Sequence, residues 1–253
     1  MSSRTRLSFD VKLNELGQTI TIQIADPSGL QADNLALATW GSSEILANVL
    51  NKLPRPDSKE LKGSGIWPVL ELGAGTGLVG ISAAAIWQTD VCLTDLEPLV
   101  PNLEANCELN HGLLGQLNEN AMEGVADLSC GILDWAKPEH LVFADSKVNS
   151  DPARIIIAAD TVYSEEHPEL LTKAVSARLD RDEKARFIMC YPLRIGYLDH
   201  IRDLWERLEQ GGLECVQEGR EKLGKDWGDN VEEDVEYEWC AWSWKAEMLP
   251  PRG

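Results

Sequence analysis

The segment Glu71-Leu72-Gly73-Ala74-Gly75-Thr76-Gly77 constrains this chain more than any other. Three glycines at alternate positions follow the apolar run Val69 to Leu72 and open the apolar helical stretch Leu78 to Ile86. A buried strand that turns sharply into a helix is the founding unit of an α/β domain with a parallel sheet. Glycine accepts positive φ, so the turn can be tight, and without Cβ it lets backbone N–H groups approach a ligand at the helix N-terminus. The chain beyond it repeats the pattern. Strands are expected at Val69 to Leu72, Val91 to Thr94, Asp127 to Leu133, Arg154 to Ala158 and Phe187 to Tyr191. Helices are expected at Leu99 to Leu109, Pro168 to Leu179 and Tyr197 to Leu208, the last ended by Gly211-Gly212.

The two ends read differently. Residues 7 to 24 alternate apolar and polar around a turn at Asn14 to Gly17, which predicts a β-hairpin. Ser42 or Ser43 is placed to cap a helix whose apolar face is Leu46, Val49, Leu50 and Leu53. Leu213 to Gln217 and Glu238 to Lys245 read as two strands without a helix between them, which predicts antiparallel pairing. Slack is expected only in loops at 110 to 125 and 136 to 153.

Composition narrows the partners. With 253 residues, 43% of them hydrophobic, the chain can bury a core without staples. Forty-two Asp and Glu against 23 Lys and Arg give a formal charge of -19, which repels nucleic acid and suits a basic partner or simple solubility. The first ten residues lack an apolar leader and no apolar run is long enough to span a bilayer, so a soluble cytoplasmic protein without membrane contact is expected. Six cysteines without a CxxC pair read as reduced thiols, and four scattered histidines give no metal-ligand spacing, so no metal is expected. The run Asp226 to Glu238 holds seven acidic and no basic residues; it reads as a solvated connection between the last two strands that can also face a basic partner.

The glycine loop admits three ligand classes. A triphosphate loop needs Lys and Ser or Thr after its last glycine, but Ile81 follows Gly80. A dinucleotide fingerprint needs glycine where Leu78 stands. The remaining cofactor, an adenosine joined to an amino acid without phosphate, is S-adenosylmethionine. Asp95 stands at the end of the second strand, where a carboxylate accepts from ribose hydroxyls. Asp134 and Trp135 offer a carboxylate for the adenine amino group and an indole to stack on the ring; the alternative is a strand-end Asp beside a core Trp. Glu71 faces either the cofactor ammonium or the following helix.

Together these residues resemble the class I, seven-β-strand methyltransferases, and within them the family-16 protein-lysine methyltransferases that include elongation-factor and chaperone methyltransferases. The resemblance covers about 39 to 191 and rests on Trp40, Leu70 to Gly80, Thr94-Asp95-Leu96, Leu133-Asp134-Trp135 and Ala158-Ala159-Asp160-Thr161-Val162-Tyr163. It implies a Rossmann-like seven-stranded sheet, mostly parallel with an antiparallel C-terminal strand, in one domain: a hairpin extension at 1–38 and a catalytic core at 39–253. By the same resemblance Trp40, Gly73, Ala74, Gly75, Asp95, Trp135 and Ala159 line the cofactor site, while Asp160 and Tyr163 face the acceptor. A monomer acting on a basic protein, a translation elongation factor first among candidates, is then expected. Asp160 also fits a helix cap and Tyr163 plain packing. A small-molecule N-methyltransferase or a non-catalytic cofactor-binding module are the competing readings.

Overall fold

A computed structural model describes residues 6–25, 41–119, 126–223 and 235–251. Trp40 and acidic positions 226–234 lie outside the described residues.

The predicted hairpin forms from β1 (Arg6–Lys12) and β2 (Thr19–Ala25), paired antiparallel from Arg6↔Ala25 to Lys12↔Thr19. Its alternation is what seats it: Val11, Ile22 and Ile24 have no exposed surface and join the main core. A one-residue slip would turn all three to solvent.

The remaining strands are β3 (Trp67–Leu72), β4 (Val91–Asp95), β5 (Leu128–Ile132), β6 (Leu141–Val142), β7 (Val148–Asn149), β8 (Ala153–Ala159), β9 (Arg186–Pro192), β10 (Leu213–Lys222) and β11 (Glu236–Trp244). They form one sheet in the order β10-β11-β9-β8-β3-β4-β5-β6-β7. The central five pair parallel, and β11 runs antiparallel to both β9 and β10. The expected seven strands are therefore present, with β6 and β7 added at one edge. This corrects the reading of 136 to 153 as plain loop. Gly131 on β5 explains the addition: a Cβ there would lie 2.5 Å from the Leu141 side chain, which fills the space the glycine leaves and is itself fully buried.

Helices cover both faces. On one lie α1 (Gly41–Val49), α3 (Leu78–Trp87) and α4 (Val100–Glu119) with the hairpin; on the other lie α5 (His167–Arg178) and α6 (Leu198–Gln210). A short α2 (Ser58–Leu61) precedes β3. The α3 helix is apolar nearly all round because it is buried nearly all round, against the sheet centre and under the hairpin. The α6 helix is amphipathic and buries Ile201, Leu204 and Leu208, each such side chain stabilising the fold by about 1.5–3 kcal/mol.

Two further expectations are corrected. The α4 helix continues to Glu119, ten residues beyond its predicted end, so much of the expected loop 110 to 125 is helical; Leu114 buried on the core face carries it onward through Gly112 and Gly115. Neither Ser42 nor Ser43 precedes α1, which begins at Gly41, so neither caps it from outside. The six cysteines are free thiols, as read, four buried and Cys130 and Cys215 half-buried.

Helical glycines give a stability prediction of opposite signs. A Cβ at Gly112 or Gly115 meets nothing within 4 Å, so Gly112→Ala and Gly115→Ala each stabilise the chain by about 0.5–1 kcal/mol through helix propensity. A Cβ at Gly80 would sit 2.3 Å from the buried Glu71 carboxylate and 2.7 Å from Leu93, so Gly80→Ala destabilises by about 1–3 kcal/mol despite the same gain in propensity. Urea midpoints of the three variants check both signs.

Candidate active site

Strand order reverses between β3 and β8: from β3 the chain steps to β4 and β5 on one side, and later to β8 and β9 on the other. Crevices at such a point, beyond the carboxyl ends of the strands, are where open α/β sheets bind ligands. A cleft lies there, walled by the β3–α3 turn, the ends of β4 and β8, the segment after β5 and the first turn of α5.

The turn after β3 has the backbone its glycines permit. Gly73, Gly75 and Gly77 have φ of 65°, 56° and 84°. Gly73 must also lack a side chain, since a Cβ would stand 3.0 Å from Thr161 and 3.1 Å from Trp135. The Asp95 carboxylate latches this turn: Oδ2 accepts the Gly75 N–H at 2.7 Å and Oδ1 accepts the Leu96 N–H at 2.7 Å. Burial pushes the Asp95 carboxyl above the usual range, opposed by those two N–H groups. Asn106 of α4 donates to the Thr76 carbonyl at 2.9 Å and accepts the Ala25 N–H at 3.0 Å, tying the turn to the hairpin.

The cleft brings together Gly73, Ala74, Gly75, Asp95, Asp134, Trp135, Ala159, Asp160 and Tyr163 of the predicted site. Asp134 is exposed and its Oδ1 accepts the Ala136 N–H at 2.9 Å, while Trp135 is half-buried. Glu71 is placed elsewhere. Its carboxylate is fully buried beneath α3, where Oε2 accepts the Gly80 N–H at 2.9 Å, the helix-partner geometry.

Burial pushes the Glu71 carboxyl well above its ordinary range, more than the Gly80 N–H and nearby Asp95 alter it. The folded chain therefore holds this proton more tightly than the unfolded chain. The associated stability is present below the ordinary carboxylate pKa and is lost as pH rises toward the folded value. Glu71→Gln keeps an oxygen for Gly80 and removes that dependence. The fall in urea midpoint from about pH 5 to pH 8 is expected to be smaller in the variant than in the parent; equal falls would contradict a buried Glu71 proton.

Asp160 follows β8 at φ 55°, a left-handed conformation rare for a residue with a side chain. Its N–H donates to the Cys190 carbonyl at 2.9 Å, and its Oδ2 accepts the Ser42 hydroxyl at 3.1 Å. It does not cap the next helix, whose N-cap position is Glu166. Burial raises its carboxyl, and Arg194 and the Ser42 hydroxyl oppose the rise. Tyr163 is 56% exposed at the rim, too open for a packing residue alone. Burial of its inner part, with Asp95 and Asp160 nearby, pushes its hydroxyl up, so it is a neutral phenol at physiological pH.

The cleft also holds polar residues to which the sequence reading gave no role in the site. Ser43 lies at the start of α1, Thr161 beside Asp160, and His167 at the start of α5. The His167 ring meets Tyr163 edge-on at 4.3 Å and Trp135 at 5.9 Å, and its Nδ1 accepts the Tyr163 N–H at 3.3 Å. Burial lowers its pKa, so the ring is neutral near pH 7. A signal was available: His167 stands four residues after Tyr163 at a predicted helix start.

Among the described residues, no group of acidic, His or Cys side chains is arranged to hold a metal ion, and no helix is long and apolar enough to cross a membrane.

Comparison with known proteins agrees with this geometry. A family model described as "Lysine methyltransferase" matches residues 19–203. The protein-lysine N-methyltransferase EFM2 of Saccharomyces cerevisiae is 33% identical over 245 residues, covering 89% of this chain and 53% of the relative. The protein-lysine N-methyltransferase rrg1 of Schizosaccharomyces pombe is 30% identical over 233 residues, covering 91% of this chain and 68% of the relative. The chain thus spans about half of the first relative's length. In fold it is similar to the M. jannaschii TYW2 structure in complex with AdoMet, with a TM-score of 0.51 at 14% identity, covering 97% of this chain and 89% of that one.

Proposed function

The chain belongs to the lysine methyltransferase family, and from that membership we propose that it transfers a methyl group from S-adenosylmethionine to the side-chain nitrogen of a lysine in a cytoplasmic protein. A translation elongation factor is the substrate class we put first. One observation carries the reading: a glycine turn latched by Asp95 and the pair Asp160 and Tyr163 open into the same cleft.

The residues fit the cofactor. The Gly73 cradle is a space that a Cβ would fill, and the Trp135 indole lines the cleft beside it. A carboxylate offers about four acceptor positions, and Asp95 uses two on backbone N–H groups, leaving two for a ribose diol. Asp134 and Ala159 complete the adenosine side, and Glu71 acts from beneath by holding the start of α3 in place.

When bound, the cofactor supplies a methyl group on a sulfonium, whose positive charge disfavours a second cation nearby. Transfer by in-line displacement needs a neutral amine held in register and little other machinery. The Asp160 carboxylate and the Tyr163 hydroxyl are the acceptors that align the amine at the cleft mouth. Arg194 and the Ser42 hydroxyl both favour the charged form of Asp160, against the burial that raises its carboxyl. The hairpin extension at 1–38 and the core at 39–253 we take as one domain, supported by the burial of Val11, Ile22 and Ile24 in the common core. The formal charge of -19 favours a basic protein over nucleic acid as partner.

The elongation-factor assignment is tested with bacterially produced fungal or animal elongation factors, methyl-labelled S-adenosylmethionine and the purified chain. Label in one factor is the expected result. Label only in low-molecular-weight extract would favour the small-molecule alternative, and label in other proteins of a lysate would replace the substrate class.

A further inference from the structure

Asp160 is 118 residues from Ser42 in sequence, yet it is held by it. Ser42 has no exposed surface, and its hydroxyl donates to Asp160 Oδ2 at 3.1 Å. The helix that carries it is seated without slack. A Cβ on Gly41, the first residue of α1, would fall 2.3 Å from the hydroxyl oxygen of Tyr237, which is itself buried on β11. Gly41 can therefore press its backbone against β11, and that close approach fixes where the next residue points. From the opposite side, the Asp160 N–H is fixed to the Cys190 carbonyl on β9. A side chain leaving a left-handed backbone position is thus clamped between α1 and β9.

We propose that Ser42 is a positioning residue for methyl transfer: its hydroxyl, delivered by the first turn of α1, fixes the rotamer of the Asp160 carboxyl group that receives the acceptor amine. This inference rests on the acceptor-side role of Asp160 proposed above. The physical reason is direct. A half-buried carboxylate with free rotation about its side-chain bonds presents its oxygens in several directions, whereas one oxygen bound to Ser42 leaves the other aimed by default. A hydroxyl donor also favours the charged form. The other groups facing Asp160 are Arg194 after β9, which favours the carboxylate, and Tyr163 and Cys190, both held neutral by burial. None of them lies on α1, so the contribution of Ser42 is separable.

Two variants test it. Ser42→Ala removes the donor, and Ser42→Cys, close in volume, keeps a weaker one. In protein labelled at aspartate carboxyl carbons, with Asp160→Asn locating the signal, the Asp160 midpoint moves to higher pH in Ser42→Ala and lies between parent and alanine variant in Ser42→Cys. On the methylated substrate, kcat falls about tenfold in Ser42→Ala, its acid limb moves to higher pH, and S-adenosylmethionine affinity stays within about twofold. An unchanged midpoint in folded Ser42→Ala overturns the contact. A raised midpoint with unchanged kcat across pH overturns the positioning role. A parent chain that transfers no methyl group to any protein sinks the functional reading itself, whereas the titration does not depend on an acceptor and judges the contact alone.

Discussion

Replacing Asp160 with asparagine lowers methyl transfer by about a hundredfold or more, while S-adenosylmethionine affinity changes by less than about twofold. Asparagine is the right probe because it tolerates the left-handed backbone found at this position, φ 55°, and can still accept from Ser42. What it lacks is the negative charge that aligns an amine beside a sulfonium. Alanine at the same site adds backbone strain and an orphaned Ser42 hydroxyl, so its larger loss would be harder to assign. Tyr163→Phe removes only a hydroxyl from an exposed ring and is expected to cost less, about tenfold, again in kcat rather than in cofactor affinity. Kinetics and calorimetry on the same preparations separate the two quantities. Equal activity of Asp160→Asn and parent would remove the acceptor role from this residue.

Asp95→Ala weakens S-adenosylmethionine binding at least about tenfold, equivalent to about 1.4 kcal/mol. Two losses combine in this variant. The ribose hydroxyls lose their acceptor, and the Gly75 and Leu96 N–H groups lose the oxygens that hold the turn at 2.7 Å. Because burial raises the Asp95 carboxyl, it takes up a proton at a higher pH than an exposed aspartate. Affinity in the parent protein therefore falls as pH drops through that raised value, and this fall is absent in Asp95→Ala. Gly75→Arg should match the loss by another route, since arginine at φ 56° strains the turn and its side chain enters the cleft. Calorimetry on folded variants decides. An unchanged affinity in Asp95→Ala would contradict the ribose assignment.

Much of this site is legible from sequence because its groups stand at strand ends, where a change of periodicity marks the position. The glycine turn, Asp95, Trp135 and Asp160 each follow a short apolar run, and the parallel strands carry all of them to the carboxyl end of the sheet. Direction is harder than position. The carboxylate of Glu71 sits at a strand end like the others, yet Gly80, nine residues on, leaves room beneath α3 for it to turn inward. Contacts between distant segments leave no local trace at all. Ser42 reads as a helix cap by composition, and only the closing of α1 onto β9 and β11 shows that its hydroxyl serves Asp160. The length of α4 was obscured for a different reason: Gly112 and Gly115 are poor helix formers, and packing of Leu114 on the core outweighs them. The strands β6 and β7 are too short for any periodicity and exist because Gly131 admits Leu141.

The central claim is that this cleft moves a methyl group onto a protein lysine. Its most direct test is acid hydrolysis of the protein band labelled by the parent chain with methyl-labelled S-adenosylmethionine, followed by amino-acid analysis beside an Asp160→Asn control. The label is expected to run as methylated lysine and to be about a hundredfold weaker or more in the control. Label recovered as methylated histidine or arginine, released as volatile methanol as a carboxyl ester would give, or found equally in parent and control, would contradict the claim.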